Sequence, residues 1–214
     1  MIDPACGSGN FLTETYISLR RLENEVIRSL IDAQKGAAAG QIMMGLEGDL
    51  TPIMVSIQQF YGIEINDFAA TVAKTALWIA ESQMMKQTED IVHMNLDFLP
   101  LKTYVNITEG NALRVDWAEV VPKERLNYIM GSPPFVGYTY QTAQQKSDLL
   151  VSMPDIGKNT DYVAAWYYKA SQLMSGTFIH AAFVSTNSIS QGEQVSLLWK
   201  PLFENFGSSR ISGG

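Results

Sequence analysis

A chain of 214 residues with 46% apolar content can bury one substantial core, so one domain or a large piece of one is expected. It contains no run of 18 apolar residues, no evident secretory leader and a single cysteine, Cys6, which argues against a membrane-spanning helix, an internal disulfide and a cysteine-cluster metal site. The net charge of −7 disfavours a surface that grips a phosphate backbone unaided, so any nucleic acid would take most of its phosphate contacts from elsewhere.

Met1-Ile2-Asp3 has the look of the end of a strand that runs at once into Pro4-Ala5-Cys6-Gly7-Ser8-Gly9. A start in mid-strand points to a fragment. From Leu12 onward, Tyr16, Leu19, Leu22, Val26 and Leu30 step by three and four, which predicts a helix burying that face and ending near Gly36 to Gly40. Residues 41–58 are rich in methionine, read as gap-filling core. Phe60 to Ile65 predicts a buried strand. Asn66 or Asp67 then caps a helix with Phe68, Val72, Ala76, Leu77 and Ala80 inward.

Tyr104 to Thr108 and Leu126 to Met130 predict two further strands, the second delivering Gly131-Ser132-Pro133-Pro134-Phe135. Tyr138 to Lys158 reads as a polar loop with aromatics, either a cover for a ligand or a mobile surface segment. Val163 to Met174 predicts a helix with Asp161 near its start, Phe178 to Ser185 a strand, and Val195 to Leu202 a last helix. Strands alternating with helices imply an α/β fold, a parallel sheet covered on both faces, with ligands bound beyond the carboxyl ends of the strands. His93 and His180 lie far apart without ligand spacing and read as structural.

Each polar or glycine-rich oddity follows a strand. Gly7 and Gly9 allow close backbone approach at a helix start, but the third glycine of the dinucleotide fingerprint is missing, so a nucleoside other than NAD or FAD is favoured. Glu64 can accept from both hydroxyls of a ribose, the alternative being a solvated loop acid. Asn111, in Gly110-Asn111-Ala112-Leu113, can pair with the amine and ring nitrogen of an adenine, or simply form a turn. The two prolines make a stiff turn with outward carbonyls, suited to holding a planar ring that carries an amine.

In this order these pieces resemble the S-adenosylmethionine-dependent amino-methyltransferases of DNA. The stretches Asp-Pro-Ala-Cys-Gly-Ser-Gly-Asn-Phe, Phe60 to Ile65, Gly131 to Gly137, Thr160 to Tyr167 and Phe183 to Ser188 resemble the methyltransferase region of fused Type IIG/IIL restriction–modification enzymes. The resemblance implies a Rossmann-like S-adenosylmethionine-dependent methyltransferase sheet with helices on both faces, truncated at both ends. It implies that residues 1–214 are a catalytic core lacking the target-recognition domain, in a bacterial or archaeal cytoplasm, with double-stranded DNA bound through other domains. Cofactor contacts are implied for Asp3, Pro4, Ala5, Gly7, Gly9 and Asn10, for Glu64 and Ile65 at the ribose and adenine, for Asn111 and Ala112, and for Asp161 beside Tyr162. Ser132, Pro133, Pro134 and Phe135 are implied to hold the target base.

In that family the first residue of the catalytic turn is usually Asn or Asp, and here it is Ser132. A hydroxyl that makes no compensating contact would forfeit ~1–3 kcal/mol, roughly 10- to 100-fold in rate. A shifted base, an attenuated variant, or a cytosine-N4 target are the competing explanations. Having the glycine loop ahead of the catalytic turn favours adenine N6. A protein or RNA amine methyltransferase, or a catalytically silent cofactor-binding domain, are the readings from other classes.

Overall fold

The computed structural model describes residues 1–35, 53–93 and 105–206. Five strands form one sheet in the order β3-β2-β1-β4-β5: β1 (Ile2–Asp3), β2 (Tyr61–Glu64), β3 (Asn106–Glu109), β4 (Tyr128–Gly131) and β5 (His180–Phe183). All pairs are parallel, with Ile2 facing both Tyr61 and Ile129. The order reverses between β1 and β4, and such a switch point opens a crevice at the carboxyl ends of the strands. The predicted strands fall where expected, although Tyr104 lies outside the described residues.

Helices cover the sheet on both sides. One layer holds α1 (Asn10–Lys35) and α2 (Asp67–Val92), whose core joins Cys6, Leu12, Tyr16, Leu77, Met84 and Ile107. The other holds α3 (Trp117–Val120), α4 (Ala143–Ser152), α5 (Ala164–Met174) and α6 (Glu193–Phe206), packed over Ile2, Ile63 and Ile129 through Trp117, Leu149, Trp166 and Leu198. Covering thins at the edge. His180, Ala181 and Ala182 of β5 are exposed, with the His180 ring lying against Tyr128 at 6.0 Å between centroids.

The long helices bury different faces from those the apolar spacing indicated. Leu19, Leu22, Val26 and Leu30 are exposed, while Leu12, Tyr16, Arg20, Asn24 and Ile27 turn inward. Arg20 is tolerated there because its guanidinium bonds Glu23 and Thr88, and the Thr88 hydroxyl donates in turn to Asn24. A polar seam between α1 and α2 thus replaces the expected leucine stripe. In α2, Leu77 and Ala80 are buried as expected, but Phe68 is exposed and the tight contacts come from Ala70 and Ala73. Small side chains let the helix approach the loop after β1, where a Cβ on Gly9 would lie 3.0 Å from that of Ala73.

Met54 is exposed, not core filling, and Met43 and Met44 lie outside the described residues, as does the expected end of α1 at Gly36 to Gly40. The segment 138–158 is not a bare loop. Thr142 and Gln145 form a reciprocal capping box that starts α4, and Leu149 anchors this helix in the core.

Candidate active site

The loop after β1 is held open by its own backbone. Gly7 and Gly9 have φ of +53° and +85°, values that side-chain-bearing residues rarely adopt, and the space where a Gly7 side chain would stand is empty. The Gly9 amide donates to the Cys6 carbonyl at 2.8 Å, and α1 begins at Asn10 with its first amides directed at the rim. Ala5 is half-buried and its amide donates to Asp3 Oδ1 at 3.0 Å. The Pro4 carbonyl accepts from Trp166 Nε1 at 3.1 Å, tying the loop to α5.

Glu64, at the end of β2, lies beside this loop. Its Oε2 accepts the Gly7 amide at 2.8 Å and its Oε1 the Asn66 amide at 2.9 Å, so the carboxylate is fixed and each oxygen keeps a lone pair. The Glu64 carbonyl accepts the Gly110 amide at 2.8 Å, which draws in the loop after β3. Asn111 there is half-buried, its Oδ1 accepting the Leu113 amide and its Nδ2 donating to Asp148. Ile65 is 71% exposed and offers an apolar face beside Glu64, whereas Ala112 is buried in the core with its carbonyl bonded to Trp117 Nε1. Open glycine loop, fixed acid, exposed aliphatic face and amide form a donor set that fits a ribonucleoside bearing an amino-acid tail.

Asp3 links this half to the Pro-Pro turn. Its carboxylate is 1% exposed, and a Cβ on Gly131 would lie 2.3 Å from its Oδ1, so Gly131 leaves the space that this acid occupies. Burial pushes the carboxyl up to about 7; the Ala5 amide opposes the rise and the charge of Glu64 adds to it. The next residues form the Pro-Pro turn. Pro133 is buried, Pro134 and Phe135 are exposed, and Ser132 is half-exposed. No hydrogen bond among the described residues engages the Ser132 hydroxyl or the Pro133 carbonyl. Gly7, Glu64, Asn111 and Ser132 to Phe135 therefore share one rim.

Asp161 meets the chain that follows the Pro-Pro turn. Its Oδ1 accepts the Tyr138 amide at 3.1 Å, its own amide donates to Gln194 Oε1, and the Tyr162 amide donates to the Val136 carbonyl. These bonds brace the chain just beyond Phe135. Asp148 was not singled out in the sequence, although the Thr-x-x-Gln start of α4 was a usable signal for its helix. A separate cleft between the far ends of α1 and α2, lined by Arg28, Asp32 and His93 among others, lies away from this rim. No cluster of metal-ligating side chains and no helix long and apolar enough to cross a membrane occur among the described residues.

The chain is 45% identical over 207 residues to DNA methyltransferase A of Bacillus subtilis (strain 168), covering 94% of this chain and 22% of that protein. A solved structure of the Type IIL restriction-modification enzyme MmeI in complex with DNA superposes with a TM-score of 0.83 at 43% identity, over 95% of this chain and 26% of that one. The chain thus spans about a quarter of the length of these relatives. The model of the MmeI DNA-methyltransferase domain matches residues 1–211, and the chain belongs to that family.

Proposed function

We propose that the protein transfers a methyl group from S-adenosylmethionine to the exocyclic N6 amine of adenine in DNA, as the modification part of a restriction–modification system. The observation that carries this reading is the contact between Asp3 and Gly131, which joins the glycine loop to the catalytic turn at the switch point of the sheet. When bound, S-adenosylmethionine supplies an electrophilic methyl on a sulfonium. Glu64 would bind the ribose hydroxyls through its two free lone pairs, Ile65 would pack on the adenine and Asn111 would meet its edge. Asp3 to Asn10 would surround the amino-acid tail.

An exocyclic amine is a weak nucleophile because its lone pair is delocalised into the ring. The Pro133 carbonyl and the Ser132 hydroxyl are free to accept its two hydrogens, which favours a tetrahedral nitrogen with a directed lone pair. Phe135, 45% exposed, would stack on the base, which must leave the duplex at a cost of a few kcal/mol. Orientation of the two reactants would supply ~7–11 kcal/mol of barrier lowering. Double-stranded DNA would be held chiefly by parts of the protein beyond these residues, in keeping with a net charge of −7 and the greater length of the relatives.

Ser132 favours a second reading, cytosine N4, whose enzymes often carry Ser-Pro-Pro-aromatic turns. The order of the motifs favours adenine. The test is to incubate the intact protein with methyl-labelled cofactor and duplex DNA, digest to nucleosides and identify the label. N6-methyl-2′-deoxyadenosine is expected. Label in N4-methyl-2′-deoxycytidine would replace the target base, and label only in protein or RNA would overturn the substrate.

A further inference from the structure

Asp148, near the middle of α4, is 2% exposed, yet four side chains converge on it. Its Oδ2 accepts from Asn111 Nδ2 at 2.8 Å and from the Tyr162 hydroxyl at 3.2 Å. Its Oδ1 accepts from Arg114 Nε at 2.7 Å and from Gln144 Nε2 at 3.0 Å. Burial alone would raise its pKa, but the bonds from Arg114, Asn111, Gln144 and Tyr162 outweigh burial and hold the carboxyl below its ordinary value. The group is therefore an ionised, acceptor-only centre at neutral pH.

This has a consequence for Asn111. A carboxylate on one side and the Leu113 amide on the other, 2.9 Å from Oδ1, leave the Asn111 amide a single orientation: nitrogen toward Asp148, oxygen toward Leu113. One N–H and one oxygen lone pair remain unused, the pair needed to meet an adenine edge, where an amine donor adjoins a ring-nitrogen acceptor. A hypoxanthine edge presents the reverse pattern, oxygen acceptor beside N–H donor. An amide locked one way separates the two bases, and an amide free to turn over does not.

We propose that Asp148 is a positioning residue that sets the base selectivity of the cofactor site by fixing the orientation of the Asn111 amide. The inference rests on the reading of Asn111 as the partner of the cofactor's adenine. It also makes α4, which follows the catalytic turn, part of the support of the cofactor pocket. Asp148→Asn tests it with an isosteric change. Its single oxygen would stay with Arg114, and its new NH2 would face Asn111 Nδ2, donor against donor. Either Asn111 turns over and confronts the Leu113 amide, or it stays and loses its partner.

The experiment compares binding of S-adenosylhomocysteine and S-inosylhomocysteine to the intact protein by calorimetry. The wild type is expected to prefer the adenosine form by ~100-fold or more, as sites built to hydrogen-bond a group reject the analogue lacking it. Asp148→Asn is expected to cut that ratio ~10-fold. Equal losses for both ligands with an unchanged ratio would make Asp148 merely structural and overturn the inference alone. A wild type with no preference would overturn the adenine assignment of Asn111 and the inference with it. Should Asp148→Asn fail to fold, Arg114→Ala, at a 42% exposed side chain, loosens the same carboxylate without touching Asn111. A ratio lowered about 3-fold there supports the inference, and an unchanged ratio overturns it.

Discussion

The two halves of the rim are built in opposite ways. On the side of the glycine loop, nearly every polar group is already bonded: Gly7 to Glu64, Glu64 to Asn66, Gly110 to Glu64, Asn111 to Asp148 and Leu113. On the side of the Pro-Pro turn, the Ser132 hydroxyl and the Pro133 carbonyl have no partner among the described residues, and Phe135 is open to solvent. A site wired in advance spends little ordering entropy when a small, invariant ligand enters. Bare acceptors and an uncovered ring suit a guest that is delivered from elsewhere and must leave again. On the proposed function, cofactor affinity and base handling are expected to be separable, although Asp3, which lies in the glycine loop and against Gly131, touches both halves.

The largest expected effect bears on Asp3 itself. Its native pKa of about 7 exceeds its unfolded value of 3.8, so the folded state holds the extra proton. Stability from this group is therefore complete below about pH 4 and is lost as pH rises through about 7. Asp3→Asn is expected to unfold at similar denaturant to the wild type near pH 4 and to gain up to roughly 4 kcal/mol over it by pH 8. Parallel stability–pH curves for the two proteins would remove Asp3 as the strained bridge between the halves.

Glu64→Ala strikes the wired half. Losing a charged acceptor of ribose hydroxyls and of two loop amides is expected to weaken S-adenosylhomocysteine binding by 1.5–3 kcal/mol, roughly 10- to 150-fold. Unchanged calorimetric affinity would contradict the ribose role. Phe135→Ala strikes the other half and should leave cofactor affinity alone. It should lower kcat/KM for DNA by ~1–3 kcal/mol, the usual worth of a base–aromatic stack. A matching fall in cofactor affinity would show that the halves are not independent. Ser132→Asn is expected to have the smallest effect, a gain of ~10-fold in kcat at the low end of a hydrogen-bond contribution, because serine already offers a free oxygen. A loss of activity in that variant would mean that serine is the better acceptor here.

How far the residues themselves disclosed this arrangement depended on which physical signal was strong. The strands were legible because Phe60 to Ile65 and Tyr128 to Met130 are short apolar runs bounded by turn residues, and the loops after them were legible because glycine and proline restrict the backbone so sharply. Faces of the long helices were not. In α1 two stripes fit the same period, and the one that carries Arg20 and Asn24 is buried because Thr88 and Glu23 satisfy it, a pairing across some sixty residues that no local window contains. Asp148 was hidden for the same reason: its four donors come from three separate stretches of chain. Asp161 is expected near the cofactor from its place beside Tyr162, and its bond to the Tyr138 amide could not be read from any local window.

The central claim is that one crevice, at the carboxyl ends of β1 and β4, receives the cofactor against the Pro-Pro turn. The most direct test is a crystal structure of the intact protein with S-adenosylhomocysteine. The expected result places the ribose hydroxyls on Glu64 and the sulfur facing Ser132 to Phe135. Ligand density at the far ends of α1 and α2, beside Arg28 and Asp32, with the rim between Gly7 and Pro133 unfilled, would contradict it.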